Sequence, residues 1–297
     1  MSRVFRFVPA MALVALAVLL NSCQGVALLD PKGPVGVVNR DLLMIALGLG
    51  FLVVIPVIAM AFWFAIRYRE ANKKATYKPH WEGSLKVEAV IWLVPIAIIV
   101  VLSYLTWVYT ISQDPYKPLP SNEKPVRVQV ISTDWNWLFL YPDQGVAQIN
   151  KLVLPAGVPV TFDMTSSSVM TSFFIPDLGS QMYVMAGMKS HLNLLASKPG
   201  AFTGKNMEYS GNGYDSMHFQ AVAVSADDFA KWVNETKATP SSLTWNLFQQ
   251  VNKPQKDYPI TAWGSFDPDL FTKVVGLFEV HHGDGTSKGL EPATSTH

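Results

Sequence analysis

One cysteine, Cys23, stands in 297 residues. That scarcity excludes a disulfide framework within the chain and any metal centre built on paired thiolates. Charge is also sparse, at 15% of residues against 49% hydrophobic. This is too little for an ordinary soluble protein, so the excess apolar residues must sit in membrane segments. Neither sign dominates, with 23 basic against 22 acidic residues. A nucleic-acid partner needs a concentrated basic face and is set aside.

What is present begins with targeting. Arg3 and Arg6 precede an uncharged run from Phe7 to Leu20, which ends in "LNSC" at Cys23. A short positive region, an apolar stretch too short to span comfortably and a processing site mark residues 1–22 as a signal peptide. The pattern resembles a bacterial lipoprotein signal, in which Cys23 is acylated and becomes the mature N-terminus. The plainer reading is an uncleaved anchor with Cys23 as a buried thiol.

Two uncharged runs of 25 residues follow, Leu42–Ile66 and Ala89–Gln113. Each exceeds the roughly 20 residues that cross about 30 Å of hydrocarbon. They predict transmembrane helices over 42–66 and 87–113, with Pro56 and Pro95 as kinks tolerated by packing. Between them, residues 67–86 carry Arg67, Arg69, Lys73, Lys74, Lys78 and Lys86 against Glu70 and Glu82. The positive-inside rule places this loop in the cytoplasm. Residues 23–41 and everything after about 114 then lie outside, as the signal peptide also requires. Trp63, Tyr68, Trp107 and Tyr109 lie near the span ends, as interfacial aromatics do. Glu88 opens the second span. It is either a carboxylate stabilised by the positive end of the helix dipole or an ionisable group marking a proton path into a partner. The residues leave both open.

Beyond a proline-rich linker at 114–125, β-branched residues alternate in short runs broken by Pro and Gly. Residues 126–225 therefore read as an all-β sandwich or barrel. Residues 226–281 read as a short helical extension, and 282–297 as a disordered polar tail. In "DWNWLFLYP", 134–142, an extended backbone would set Trp135, Trp137, Phe139 and Tyr141 on one face as an aromatic packing surface, with Asn136, Leu138 and Leu140 on the other.

In order, the signal, the two spans, "KVEAVIWLVPI", "DWNWLFLYP", "SFFIPDLGSQMY" and "YSGNGYDSM" resemble subunit II of the haem-copper respiratory oxidases, over about residues 20–280. Within that superfamily, "ALLDPKG" after the cysteine and "TSSSVMTSFFIPDLGSQMYVMAGM" most resemble the bo-type ubiquinol oxidases. The resemblance implies two N-terminal transmembrane helices as a hairpin, then a cupredoxin-like sandwich. The cytochrome c oxidases of this superfamily hold a copper pair in that domain, through a histidine and a loop of pattern C-x-E-x-C-G-x-x-H-x-x-M. Laid on this chain, the strong ligand positions fall on Thr171, Asn206, Ser210 and Tyr214. Glu208, Gly211 and Met217 match the pattern. Soft thiolates and imidazoles are what such a pair needs, so no copper is expected here.

The resemblance then implies subunit 2 of a proton-pumping quinol:oxygen oxidoreductase in the bacterial inner membrane, with this chain not itself catalytic. Haems and copper would belong to subunit I, the main partner, beside subunits III and IV and the bilayer. Ubiquinol would be the electron donor in place of cytochrome c, and Glu88 would match a carboxylate at the mouth of a proton pathway. The competing readings are a copper-carrying subunit that accepts electrons from cytochrome c, and a non-catalytic envelope scaffold lipoprotein.

Overall fold

A computed structural model describes residues 27–73 and 83–278. The expected signal peptide with Cys23, the middle of the expected cytoplasmic loop and the tail after 278 lie outside the described residues. The chain divides into two compact units, Arg40–Asp114 and the remainder.

The first unit carries most of helix α1 (Pro34–Arg67) and all of α2 (Leu85–Ser112). At 1.5 Å per residue they measure about 51 and about 42 Å, enough to cross a bilayer. Their apolar side chains are exposed around the whole circumference, among them Leu52, Ile55, Phe62, Trp63, Trp92 and Leu93. Lipid or another protein is the only solvent such helices tolerate. α1 starts at Pro34 rather than at the predicted Leu42. The hydropathy boundary marks Arg40 and Asp41, which charge a helix without ending it, whereas Pro34 has the fixed φ and missing N–H of a first helical residue.

The second unit is a β-sandwich. One sheet runs β12 (Thr261–Trp263), β3 (Val146–Ile149), β2 (Trp137–Tyr141), β1 (Val126–Ser132), β5 (Val160–Ser166), β8 (Ser190–Leu194). The other runs β4 (Lys151–Pro155), β10 (His218–Val224), β9 (Gly200–Asn206), β6 (Thr171–Phe174), β7 (Met182–Val184). β1 pairs parallel with β5, and β4 parallel with β10, while their other neighbours are antiparallel. Between the sheets an aromatic core closes around Phe173 and Phe219, stacked at 5.2 Å. Trp137 meets both edge-on at 5.4 and 5.7 Å.

The segment after Ala226 is not purely helical. Helices α3 (Ala226–Lys237), α4 (Trp245–Val251) and α5 (Leu270–Gly276) alternate with β11 (Ser242–Leu243), β12 and β13 (Ser265–Phe266). β12 adds itself to β3, so the extension covers what would be an open sheet edge. Strands of two or three residues are too short to show a period in sequence. The extension also builds a second core: Phe248, Trp263, Leu270 and Val274 pack with Ile131, Leu138 and Leu140. β2 is therefore buried on both faces, Trp137, Phe139 and Tyr141 toward the sandwich and Leu138 and Leu140 toward the extension. Asn136 fastens the two parts, donating to Gln255 O and accepting from Tyr258 N and from the Asn150 side chain.

Candidate functional site

β9 and β10 are antiparallel neighbours, with Lys205 opposite His218. The chain between them, Met207–Met217, is held at its neck by Asn206 N donating to Met217 O at 3.1 Å. Asn206 is buried, and its amide uses every hydrogen-bonding position it has. Oδ1 accepts from Ser172 N at 2.8 Å and Glu208 N at 3.0 Å. Nδ2 donates to Glu208 O at 2.7 Å and Ser210 Oγ at 3.0 Å. A side-chain amide offers two donors and two acceptor sites, so nothing is left over. Ser210 Oγ in turn lies 3.8 Å from Met217 Sδ.

Trp135 closes the loop from outside. It departs from the extended alternation expected of it, taking a φ of 70° ahead of β2. The left-handed turn swings its indole over the loop, where Nε1 donates to Ser210 O at 2.9 Å. Gly213 makes room for it: a Cβ there would lie 2.1 Å from the indole ring. Gly211 turns the loop with a φ of 97°, a conformation that favours glycine.

Asn206, Ser210, Met217 and the backbone of Glu208 thus come together. Thr171 and Tyr214 are engaged elsewhere, Thr171 Oγ1 donating to Ser132 Oγ at 2.8 Å and the Tyr214 ring lying 5.8 Å from Tyr209. The hydroxyls and amide are neutral, hard donors already committed to one another, and a thiolate-bridged copper pair does not fit them. Among the described residues no group of three or more His, Cys, Asp or Glu could hold a metal ion. His191 lies on β8 of the first sheet, opposite Asp163 of β5, with its Nδ1 at 2.9 Å from the Asp163 carboxylate and its ring stacked on Tyr116. His218 is exposed.

The aromatic face is deeply placed. Tyr141 O–H donates to Val153 O at 2.8 Å and accepts from Val153 N at 2.9 Å, and burial pushes its phenol pKa far up. Glu88 sits in the first turn of α2, its N–H donating to Ser84 O at 2.9 Å. Gly83 leaves its carboxylate space, since a Cβ at 83 would come within 2.8 Å of Oε1.

Sequence reasoning missed the part Asn206 plays, having marked only what it replaces. The signal was a polar residue at the buried phase of β9, where Phe202, Gly204 and Asn206 alternate with exposed Ala201, Thr203 and Lys205.

The model of the cytochrome c oxidase subunit II periplasmic domain matches residues 145–224, and that of the COX aromatic rich motif matches 237–282. The cytochrome bo(3) ubiquinol oxidase subunit 2 of Pseudomonas putida is 46% identical over 277 residues, 93% of this chain and 87% of its own length. The chain belongs to the ubiquinol oxidase subunit 2 family. A second member of the ubiquinol oxidase subunit 2 family, from Pseudomonas aeruginosa, is 47% identical over 271 residues, 91% of this chain and 81% of its own length. Among solved structures, the periplasmic domain of subunit II of the Bradyrhizobium japonicum cytochrome oxidase aligns at 22% identity and a TM-score of 0.37. That alignment covers 39% of this chain and 96% of the other.

Proposed function

We propose that the chain is the second subunit of a membrane-bound ubiquinol oxidase, in which ubiquinol supplies the electrons and oxygen is reduced to water. The observation that carries this is the loop at 206–217, which keeps its turn while a neutral amide organises it. A subunit that received electrons from a water-soluble donor would need a metal there, and the residues supply no ligand set for one. Electrons therefore come from a donor within the membrane, consistent with the printed names of the relatives. The chain's own share is assembly, stability and proton entry, with no redox centre of its own. It assembles with subunit I, which carries the haems and copper, and with subunits III and IV. Acylated Cys23 and the two spans fix it in the inner membrane with the β-domain in the periplasm, and Glu88 takes up protons from the cytoplasmic side.

The test is oxygen consumption by the purified complex with two donors. Ubiquinol is expected to support turnover and reduced cytochrome c to support none. Cytochrome c oxidation accompanied by a near-infrared copper band would overturn the reading, and a preparation without haem or quinol oxidation would return it to an envelope scaffold.

A further inference from the structure

Both chain segments that connect the β-domain to its helices are gripped by the β-domain, the linker by β8 and the N-terminal segment by the turns after β6 and β8. On the linker side, Asn193 of β8 donates from Nδ2 to Pro115 O at 3.0 Å and Lys117 O at 3.1 Å. Asn193 Oδ1 is itself held by Thr161 Oγ1 at 2.8 Å. Two residues earlier, His191 stacks on Tyr116 with ring centroids 5.7 Å apart, its other side fixed by Asp163.

On the N-terminal side, residues 31–36 lie in a slot between the turn after β8 and the turn after β6. Lys32 N donates to Asp177 O at 2.6 Å, Gly36 N to Leu178 O at 3.1 Å, and Ser197 N to Lys32 O at 2.8 Å. The second of these caps α1. Gly36 is in its first turn, whose N–H groups have no partner within the helix, and a carbonyl of the β-domain supplies one. Val35 is buried, and a Cβ on Gly179 would lie 2.9 Å from it. The fit at Gly33 is closer still. A Cβ there would fall 2.4 Å from Leu195 O and 2.8 Å from Leu178 O, both backbone atoms that cannot step aside.

We propose that β8, the turn at 195–197 and the turn at 177–179 form a double clamp whose occupants are the chain's own segments 31–36 and 115–117, and that seating the N-terminal segment is required for stable retention of the subunit in its complex. The two segments are some 80 residues apart in sequence, so the loop that separates them is closed on the domain at both ends, and each contact lowers the entropy cost of making the other. The retention half of the proposal rests on the reading of the chain as an oxidase subunit, and the seating half does not.

The experiment uses the intact complex in detergent and follows hydrogen exchange at Gly36 and Ser197. In Gly33→Ala these amides are expected to exchange at least about tenfold faster, while the Gln220 amide, bonded to Asn150 O, keeps its rate. Val35→Ala should give a smaller change in the same direction without altering the backbone, which keeps the test intact if Gly33→Ala does not accumulate. Gly48→Ala, with open space around its Cβ, should change nothing. On native gels the Gly33→Ala subunit should be lost from the complex. Unchanged exchange at Gly36 and Ser197 would overturn the clamp. Faster exchange with full subunit retention would overturn its part in assembly. A parent complex without quinol oxidation would overturn the function proposed above and leave the exchange result standing.

Discussion

Replacing Asn206 by alanine removes four hydrogen bonds from a buried site in one step. At about 1 kcal/mol net for each bond the gross loss is about 4 kcal/mol, and water entering the space of the amide returns part of it. A net loss of about 3 kcal/mol corresponds to about two orders of magnitude in a local opening equilibrium. The two backbone N–H groups that lose their acceptor, Ser172 and Glu208, are the natural reporters. In the assembled complex, exchange at both is expected to rise about a hundredfold, with no comparable change at Gln220. Treating the parent complex with a copper chelator should leave the same amides unaffected. If Asn206→Ala leaves Ser172 and Glu208 at parental rates, the amide does not organise the loop. If the chelator alone loosens them, a metal does.

Glu88→Ala in the assembled complex should slow quinol-driven oxygen consumption, with Glu88→Asp recovering part of it; equal turnover in all three would reduce Glu88 to a helix-terminal charge. Tyr141→Phe strips Val153 N and O of their partner in the core, a cost of about 1–3 kcal/mol, visible as a lower thermal midpoint of the subunit. Asp143 is held below the usual carboxylate range, first by its hydrogen bond from Arg127. Because the folded pKa is depressed, the stabilisation is present above the unfolded value of about 3.9 and disappears as pH falls through the folded one. Asp143→Asn should therefore be less stable than the parent at neutral pH and indistinguishable from it in strong acid, a difference that salt should shrink because both groups are partly exposed.

Much of this architecture was legible in one dimension because its causes are one-dimensional. A span needs some twenty apolar residues in succession, and the two runs around Ile55 and Ile96 have them. Strands β9 and β10 alternate in burial, and the short apolar, β-branched runs between Pro and Gly turns mark the rest, such as the fully buried β2. At the loop only residue types were legible: Asn206, Ser210, Thr171 and Tyr214 are neither thiolates nor imidazoles, and nothing in one dimension says which of them meet. Where the reading stopped, the cause lay between residues distant in sequence. Trp135 leaves its strand phase because Gly213, far along the chain, opens a place for the indole. The extension after Ala226 forms short strands because β12 finds an edge at β3 and β11 and β13 find each other, and the first turn of α1 is capped by Leu178 O of the β-domain.

Sequence alone determined the two long apolar runs and the residue types of the loop at 206–217, for both depend on which side chains are present and in what run. The tertiary structure alone decided what organises the loop at 206–217 and what holds the domain to its two connecting segments. Those roles belong to Asn206 and to the Asn193–Ser197 stretch only because folding surrounds each with backbone groups that need partners, and a buried polar group without a partner costs more than the chain can spare.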